Sequence, residues 1–277
     1  MKVKLWMIFL LCFAFSVSAE DINDGARLKQ YLDFLKNHQL LGPYADHHKG
    51  EIEIVTDFAK ILKVEKEQKE RLLKTGYSEK EADAASKVGI VQQDYYWIWI
   101  RDAVIFPTGD MGTYNRIMWN RDLQGIGCIA ILPILEDNRI LLILNYRHAT
   151  RSWELELPRG VRREQESVPG ACVRLIKEET GLVLKSQEFL GNVVPDSGVL
   201  ASLVPVYLGN VGERIQAEKV FSKAIFGNYL FTKEEIKNGL KHGFLEIQVN
   251  GKPWKVPLRD GFLSYALIQA EIKGFLK

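Results

Sequence analysis

The sequence predicts an α/β domain behind a helical N-terminal extension. Two observations carry this. From Gly125 onward, apolar runs of strand length alternate with turn signals and with one well-capped helix at Val168–Thr180, whereas before residue 92 the apolar periodicity is mostly helical. The 277 residues suffice for one large domain, or a domain with an extension. With 47% hydrophobic and 26% charged residues, the chain can bury a sizeable core. A formal net charge of +2 carries no electrostatic footprint for nucleic acid or an anionic membrane, and neither is expected as a partner.

Residues 1–19 stand apart. Lys2 and Lys4 precede an apolar run from Leu5 to Val17, and Val17-Ser18-Ala19 places small residues at a cleavage site. The run is short for a transmembrane helix. A cleaved export signal is expected, giving a periplasmic or secreted protein with no stable membrane association. Leu11 before Cys12 is too bulky for a lipid-attachment site. Cleavage removes two lysines and no acid, leaving a formally neutral chain with Cys128 and Cys172, either two buried thiols or one bridge.

Residues 20–92 read as the helical extension. Leu28, Tyr31, Leu32 and Leu35 form one stripe, Lys60 to Lys74 a solvated amphipathic helix, and Ser78 with Glu81 a capping box. His47 and His48 lie between these segments, and the sequence suggests no third metal ligand near them. Residues 93–121 switch to period two and read as an aromatic hairpin turning at Pro107–Gly112, whose two-faced aromatic strands call for a partner surface, either the helical region or a second subunit. Residues 122–277 form the α/β domain. Its strands are expected at Gly127–Leu135, Arg139–Tyr146, Trp153–Leu157, Leu190–Val194, Leu203–Leu208 and Leu245–Val249. Helices begin at Val168, at Thr232 (capped with Glu235) and at Asp260.

The chemistry concentrates around the helix at Val168. Arg174 and Glu178, four apart, share a helix face, where an Arg–carboxylate pair fixes Glu178. Glu179, one residue round, faces the loop that starts at Gly160. Carboxylates on a helix rim beside a glycine loop suit a hard cation that keeps waters and takes further ligands from substrate phosphates. Glu178 and Glu179 alone would read as a solvated face; with Gly160, Glu166 and Arg174 in register, function is favoured.

These residues resemble the Nudix box, G-x(5)-E-x(7)-R-E-U-x-E-E-x-G-U with U apolar. Gly160, Glu166, Arg174, Ile176, Glu178, Glu179, Gly181 and Leu182 occupy their positions, and Leu175 stands where the family has glutamate. Asn145-Tyr-Arg147-His and Trp153-Glu-Leu-Glu156-Leu-Pro-Arg159-Gly160 are similar to the flanks of ADP-ribose and nucleotide-sugar pyrophosphatases, as are the aromatic strand pair and Asp260-Gly-Phe-Leu-Ser-Tyr-Ala. The resemblance runs from about Trp97 to the C-terminus and excludes the helical extension. It implies an α/β/α sandwich with a mixed sheet, and Mg²⁺- or Mn²⁺-dependent cleavage of a nucleoside diphosphate linked to another group X. Glu179 is implied as principal metal ligand with Glu178 beside it, the Arg159 carbonyl as a further ligand, and Glu166 as loop support. Arg147 would contact a substrate phosphate. Glu156 would bind metal or orient a ligand. Trp153 would stack on a base or lie in the core. The early strands would help form a homodimer.

Leu175 removes a charge four residues before Glu179. Either another carboxylate substitutes, with Asp196 in Pro195-Asp-Ser-Gly198 first and Glu213 and Glu218 after it, or the chain is a nucleotide-binding module without efficient turnover, in which Leu175→Glu would restore activity. Asp196 is equally a turn residue. A third reading places the function in the helical region.

Overall fold

The structure is a computed structural model that describes residues 24–38, 42–214 and 224–276, with the backbone alone for Glu213 and Arg214. The export segment 1–19, with Cys12, lies outside the described residues, as do Glu218 and the side chain of Glu213. The chain divides into two compact units, Met1–Val91 with Ile100–Asn115, and Gln92–Trp99 with Arg116–Lys277. No helix among the described residues is long and apolar enough to cross a membrane.

The first unit begins with α1 (Asp24–Asn37), a 3-10 turn (His47–Lys49), β1 (Glu53–Ile54), α2 (Phe58–Lys74), α3 (Glu79–Ser86) and β2 (Gly89–Gln93). Leu28, Tyr31 and Leu35 bury the expected stripe of α1. The Asp57 side chain caps α2, and Ser78 with Glu81 forms the expected capping box of α3. Buried Glu65 takes two bonds from Arg27, at 2.8 and 3.1 Å, and one from the Val88 amide at 2.7 Å, so this charge is answered in place. The hairpin strands are β3 (Trp97–Ile105) and β4 (Met111–Trp119). Here the structure differs from the expectation: the segment read as helical also supplies β1 and β2, which join β3 and β4 in a four-stranded sheet. Both added strands are too short for a two-residue period to stand out.

The second unit has the expected α/β fold class, with a mixed sheet. Its seven-stranded sheet runs β11 (Ile225–Phe231), β6 (Ile140–Arg147), β5 (Cys128–Ile134), β10 (Val204–Arg214), β9 (Leu182–Val193). The sheet is mixed: β10 lies parallel to β5 and antiparallel to β9. β5 and β6 pair only at Ile134 and Ile140 and then part. In the fork between them sit β7 (Ser152–Glu156), paired to β6, and β8 (Arg159–Val161), paired to β5. One face of the sheet packs under α5 (Val168–Thr180) through Ile129, Ile131, Leu141, Ile143, Ala171, Cys172, Leu175 and Ile176. The opposite face packs under α6 (Lys233–His242), α7 (Gly261–Ile272) and the hairpin β12 (Phe244–Val249) with β13 (Lys252–Pro257). The result is helix–sheet–helix layering, each buried aliphatic contributing about 1.5–3 kcal/mol of transfer free energy. Cys128 and Cys172 are free thiols, Cys172 buried and Cys128 half-buried, so the structure has two thiols in place of a bridge and only one of them is fully buried.

Candidate active site

The fork between β5 and β6 positions the functional side chains. On β7 the two-residue repeat sends Ser152, Glu154 and Glu156 to one face and Trp153 and Leu155 to the other. Glu156 pairs in register with Ile143 and so lies on the α5 side. It is 1% exposed, and its carboxylate is fully engaged. Arg147 grips it with two nitrogens, at 2.9 and 2.6 Å, Arg159 adds a bond of 2.8 Å, and the Asn145 amide donates at 2.7 Å. The Oδ1 of Asn145 is buried and accepts no hydrogen bond among the described residues.

Arg159 is the joint of the site. Its backbone N–H donates to Glu179 at 3.1 Å, and its guanidinium also bonds Asp260 at 2.7 Å and lies 4.8 Å from the Phe262 ring centre. Asp260 caps α7 and accepts the Leu157 amide at 3.1 Å, so one carboxylate ties the β7–β8 turn to the start of α7. Glu179 accepts the Arg159 amide and meets no guanidinium within hydrogen-bond reach among the described residues. Burial, reinforced by the nearby negative charge of Glu156, pushes its carboxyl up to about 7 despite the Arg159 amide, Arg147 and Arg159.

Glu178, expected beside Glu179 as a ligand, is placed differently. It bonds Arg174 at 2.9 Å and Arg163 at 2.7 Å. Arg174 in turn holds Glu166 with two nitrogens, at 2.7 and 2.8 Å, and the Val161 carbonyl at 3.0 Å. The Arg174 fork holds the Glu166 carboxyl down at about 2, with the Arg163 amide adding to it, while burial opposes. This network clamps the 161–166 loop to α5. The expected i, i+4 pair is present, and its product is a rigid loop.

Gly160 and Leu175 meet. A Cβ at Gly160 would lie 2.6 Å from Leu175 Cδ2. Leu175 is 4% exposed, so the position where the family motif has glutamate serves here as an apolar seat for the glycine loop.

A cleft of about 430 Å³ opens beside Glu156, lined by Arg147, Thr150, Glu154, Arg159, Pro195, Arg259, Asp260 and Phe262 among others. Arg259 and Glu154 were not singled out from the sequence. Glu154 accepts Arg259 at 2.5 Å and Ser152 at 2.6 Å. The Ser-x-Glu-x-Glu alternation in β7 was the available signal for Glu154; Arg259 had none. Trp153 points to the opposite face of the sheet. There it packs edge-on against Tyr146 and Phe226, centroids 5.2 and 5.5 Å away, which favours the core reading over base stacking. Asp196 is exposed and accepts the Gly198 amide at 2.9 Å, a turn geometry; among the described residues no hydrogen bond or ion pair joins it to Glu156 or Glu179. The Arg159 carbonyl belongs to β8, opposite Ala130, and it is the amide of Arg159 that meets Glu179.

The donor set fits the expected cation. Glu179, a carboxylate with no ion pair among the described residues, and Asn145 Oδ1, an unanswered oxygen, are hard ligands, each adjacent through Arg159 or Glu156 to a guanidinium-lined cleft. Such a site suits an ion that keeps waters and completes its shell with phosphate oxygens.

A model of the NUDIX domain matches residues 127–237. ADP compounds hydrolase NudE of Escherichia coli (strain K12) is 27% identical over 124 residues, 44% of this chain and 59% of that protein. A methanol dehydrogenase activator of Bacillus methanolicus is 24% identical over 82 residues, 30% of this chain and 44% of that protein. The chain thus spans about half the length of the curated relatives it matches. The crystal structure of an ADP compounds hydrolase superposes with a TM-score of 0.51 at 19% identity, over 68% of this chain and 93% of that one, a likeness of fold.

Proposed function

For a chain that carries a Nudix domain over residues 127–237, we propose metal-dependent hydrolysis of the pyrophosphate bond in a nucleoside diphosphate linked to X, of the ADP-ribose or nucleotide-sugar type. The observation that carries this reading is a half-buried Glu179 that has no ion pair among the described residues and bonds the amide of Arg159, whose guanidinium lines a cleft together with Arg147 and Arg259. Three guanidiniums match two adjacent phosphates, and Arg147 and Arg159 are already oriented by Glu156 and Asp260. Glu179 would hold Mg²⁺ or Mn²⁺, with Asn145 Oδ1 on the same side. Bound there, the ion would neutralise the diphosphate and polarise water for attack on phosphorus. Arg174, Glu166 and Glu178 act at one remove, by fixing the loop whose Arg159 amide meets Glu179. The name of the E. coli relative, ADP compounds hydrolase, points to the same substrate class.

The test is a panel of ADP-ribose, sugar nucleotides and dinucleoside polyphosphates in Mg²⁺ or Mn²⁺. Wild type should turn over at least one, and Glu179→Gln should abolish turnover while circular dichroism stays unchanged. A second reading, a nucleotide-binding module with little turnover, is favoured by Leu175. It predicts an inert wild type that still binds nucleotide by calorimetry. Export through residues 1–19 and a homodimer through the aromatic hairpin belong to the same proposal. N-terminal sequencing of the exported protein and light scattering check them.

A further inference from the structure

The His47-His48 pair has no role in the Nudix site, and the sequence suggests no third ligand for it. The fold supplies two. We propose that Asp46, His47 and Glu53 form a second cation site, in the first unit, for a divalent transition-metal ion.

Each of the three residues offers one ligand atom, and these atoms lie within 4.8 Å of one another. Bonds of about 2.0–2.2 Å to one ion put neighbouring ligand atoms about 3–4 Å apart, so modest side-chain movement closes the set. The backbone already holds the residues in place. Asp46 caps the 3-10 turn, accepting the His48 amide at 3.0 Å, and Gly50 ends the turn with φ 83° and a bond to the His47 carbonyl at 3.1 Å. Glu53 sits on β1, paired with Ile105 of β3. Its Oε2 meets His47 Nδ1 at 2.5 Å and the His47 amide at 3.3 Å.

The imidazoles decide the class of ion. Carboxylates alone would be a solvated acidic cluster, whereas imidazole nitrogen prefers first-row transition ions to Mg²⁺ or Ca²⁺. The His48 ring lies 3.9 Å from that of His47, so a fourth ligand is adjacent. The opposing charge is slight: Lys49 reaches Asp46 at 3.4 Å through an exposed, weakly held pair. On binding, the ion takes the place of the hydrogen bond between His47 Nδ1 and Glu53, and the neutral imidazole carries its proton on Nε2.

The test uses the full chain and Zn²⁺ alone, titrated against a chromophoric chelator. The expected result is one Zn²⁺ equivalent that survives in Glu179→Gln and weakens by about 10- to 100-fold or more in His47→Ala and in Glu53→Gln, with Mg²⁺ a poor competitor. A readout on wild type guards against misfolded variants. Of the five histidines, His47 and His48 should lose their ring C–H signals first on addition of paramagnetic Ni²⁺, ahead of His38, His148 and His242. The proposal is overturned if both variants, folded by circular dichroism, bind Zn²⁺ as wild type does, or if the His47 signal broadens no earlier than those of His148 and His242. Neither outcome bears on the hydrolase reading, which rests on Glu179.

Discussion

Gly160→Ala is the sharpest perturbation of the site, because its cost can be traced to one neighbour. The added methyl would lie 2.6 Å from Leu175 Cδ2 and 3.6 Å from Cδ1, so the first contact must open by about 1 Å to reach ordinary van der Waals distance. Leu175 cannot withdraw, since it is packed among Ile129, Ile131, Ala171, Cys172 and Ile176. Overpacking of this kind costs about 1–3 kcal/mol. Leu175→Ala alone should cost about 2–5 kcal/mol, as a transfer loss plus a cavity. In the double variant the new methyl occupies space the leucine has left. The combined loss should fall short of the sum by about 1–2 kcal/mol. Urea unfolding gives the four stabilities. The labelling rate of Cys172, buried on α5 beside Leu175, reports the same cycle locally. Activity adds a second arm: moving the loop displaces the Arg159 amide from Glu179, so Gly160→Ala should lower kcat and Leu175→Ala should partly restore it. Additivity within about 0.5 kcal/mol, with kcat unchanged in Gly160→Ala, would refute the coupling of loop seat and site.

Three further outcomes follow from the charged groups. The Glu179 carboxyl is raised to about 7, so the folded, metal-free protein holds a proton that the unfolded chain releases near the ordinary glutamate value. Its contribution to stability is therefore full below about 4.5 and lost as pH rises through about 7; Glu179→Gln should flatten that slope in urea melts, while metal affinity in wild type rises over the same interval. Glu166 has the opposite sign: its stabilisation is present above about 4.5 and lost as pH falls towards 2, and Arg174→Lys should return its NMR titration towards the ordinary range and cost about 1.5–3 kcal/mol in urea unfolding. Arg147→Lys breaks the two-nitrogen grip on Glu156 and should raise KM about tenfold, roughly 1.4 kcal/mol, with a smaller change in kcat.

The parts of this structure that were legible in the sequence are those specified by neighbours along the chain. The limits of α5 were set by Ser167 before it and Gly181 after it, and the capping boxes at Ser78 and Thr232 formed as read. The central strands β5 and β6 are long and apolar enough to declare themselves. What the sequence concealed depends on pairing across distance. β11 and β13 lack a clean alternation, and β9 extends eight residues further toward its start than its apolar end suggested. At the site, the Arg174–Glu178 pair follows from helical spacing, but Arg163 joining it, and Asp260 meeting Arg159 from 101 positions away, do not. Trp153 and Glu156 stand three apart in one strand, so they face opposite sides of the sheet, and period two alone already separated them.

Leu175 bears on activity less directly than a motif comparison suggests. The acidic residues near α5 divide by what answers them. Glu166 and Glu178 are satisfied by Arg174 and Arg163, and Glu156 by Arg147, Arg159 and Asn145. Among the described residues Glu179 retains only a backbone amide, and burial, with the negative charge of Glu156 nearby, raises its proton affinity. A cation entering this region gains most there. A glutamate at position 175 would have to leave an apolar pocket in which the leucine is 4% exposed, and Gly160 would lose the surface it packs on. Burying that charge costs more than an added ligand returns unless the loop moves with it. Leu175→Glu is therefore a poor rescue, and its failure would not distinguish a hydrolase from a binding module. That distinction falls to Glu179, whose carboxylate can be neutralised to Gln without disturbing any ion pair among the described residues.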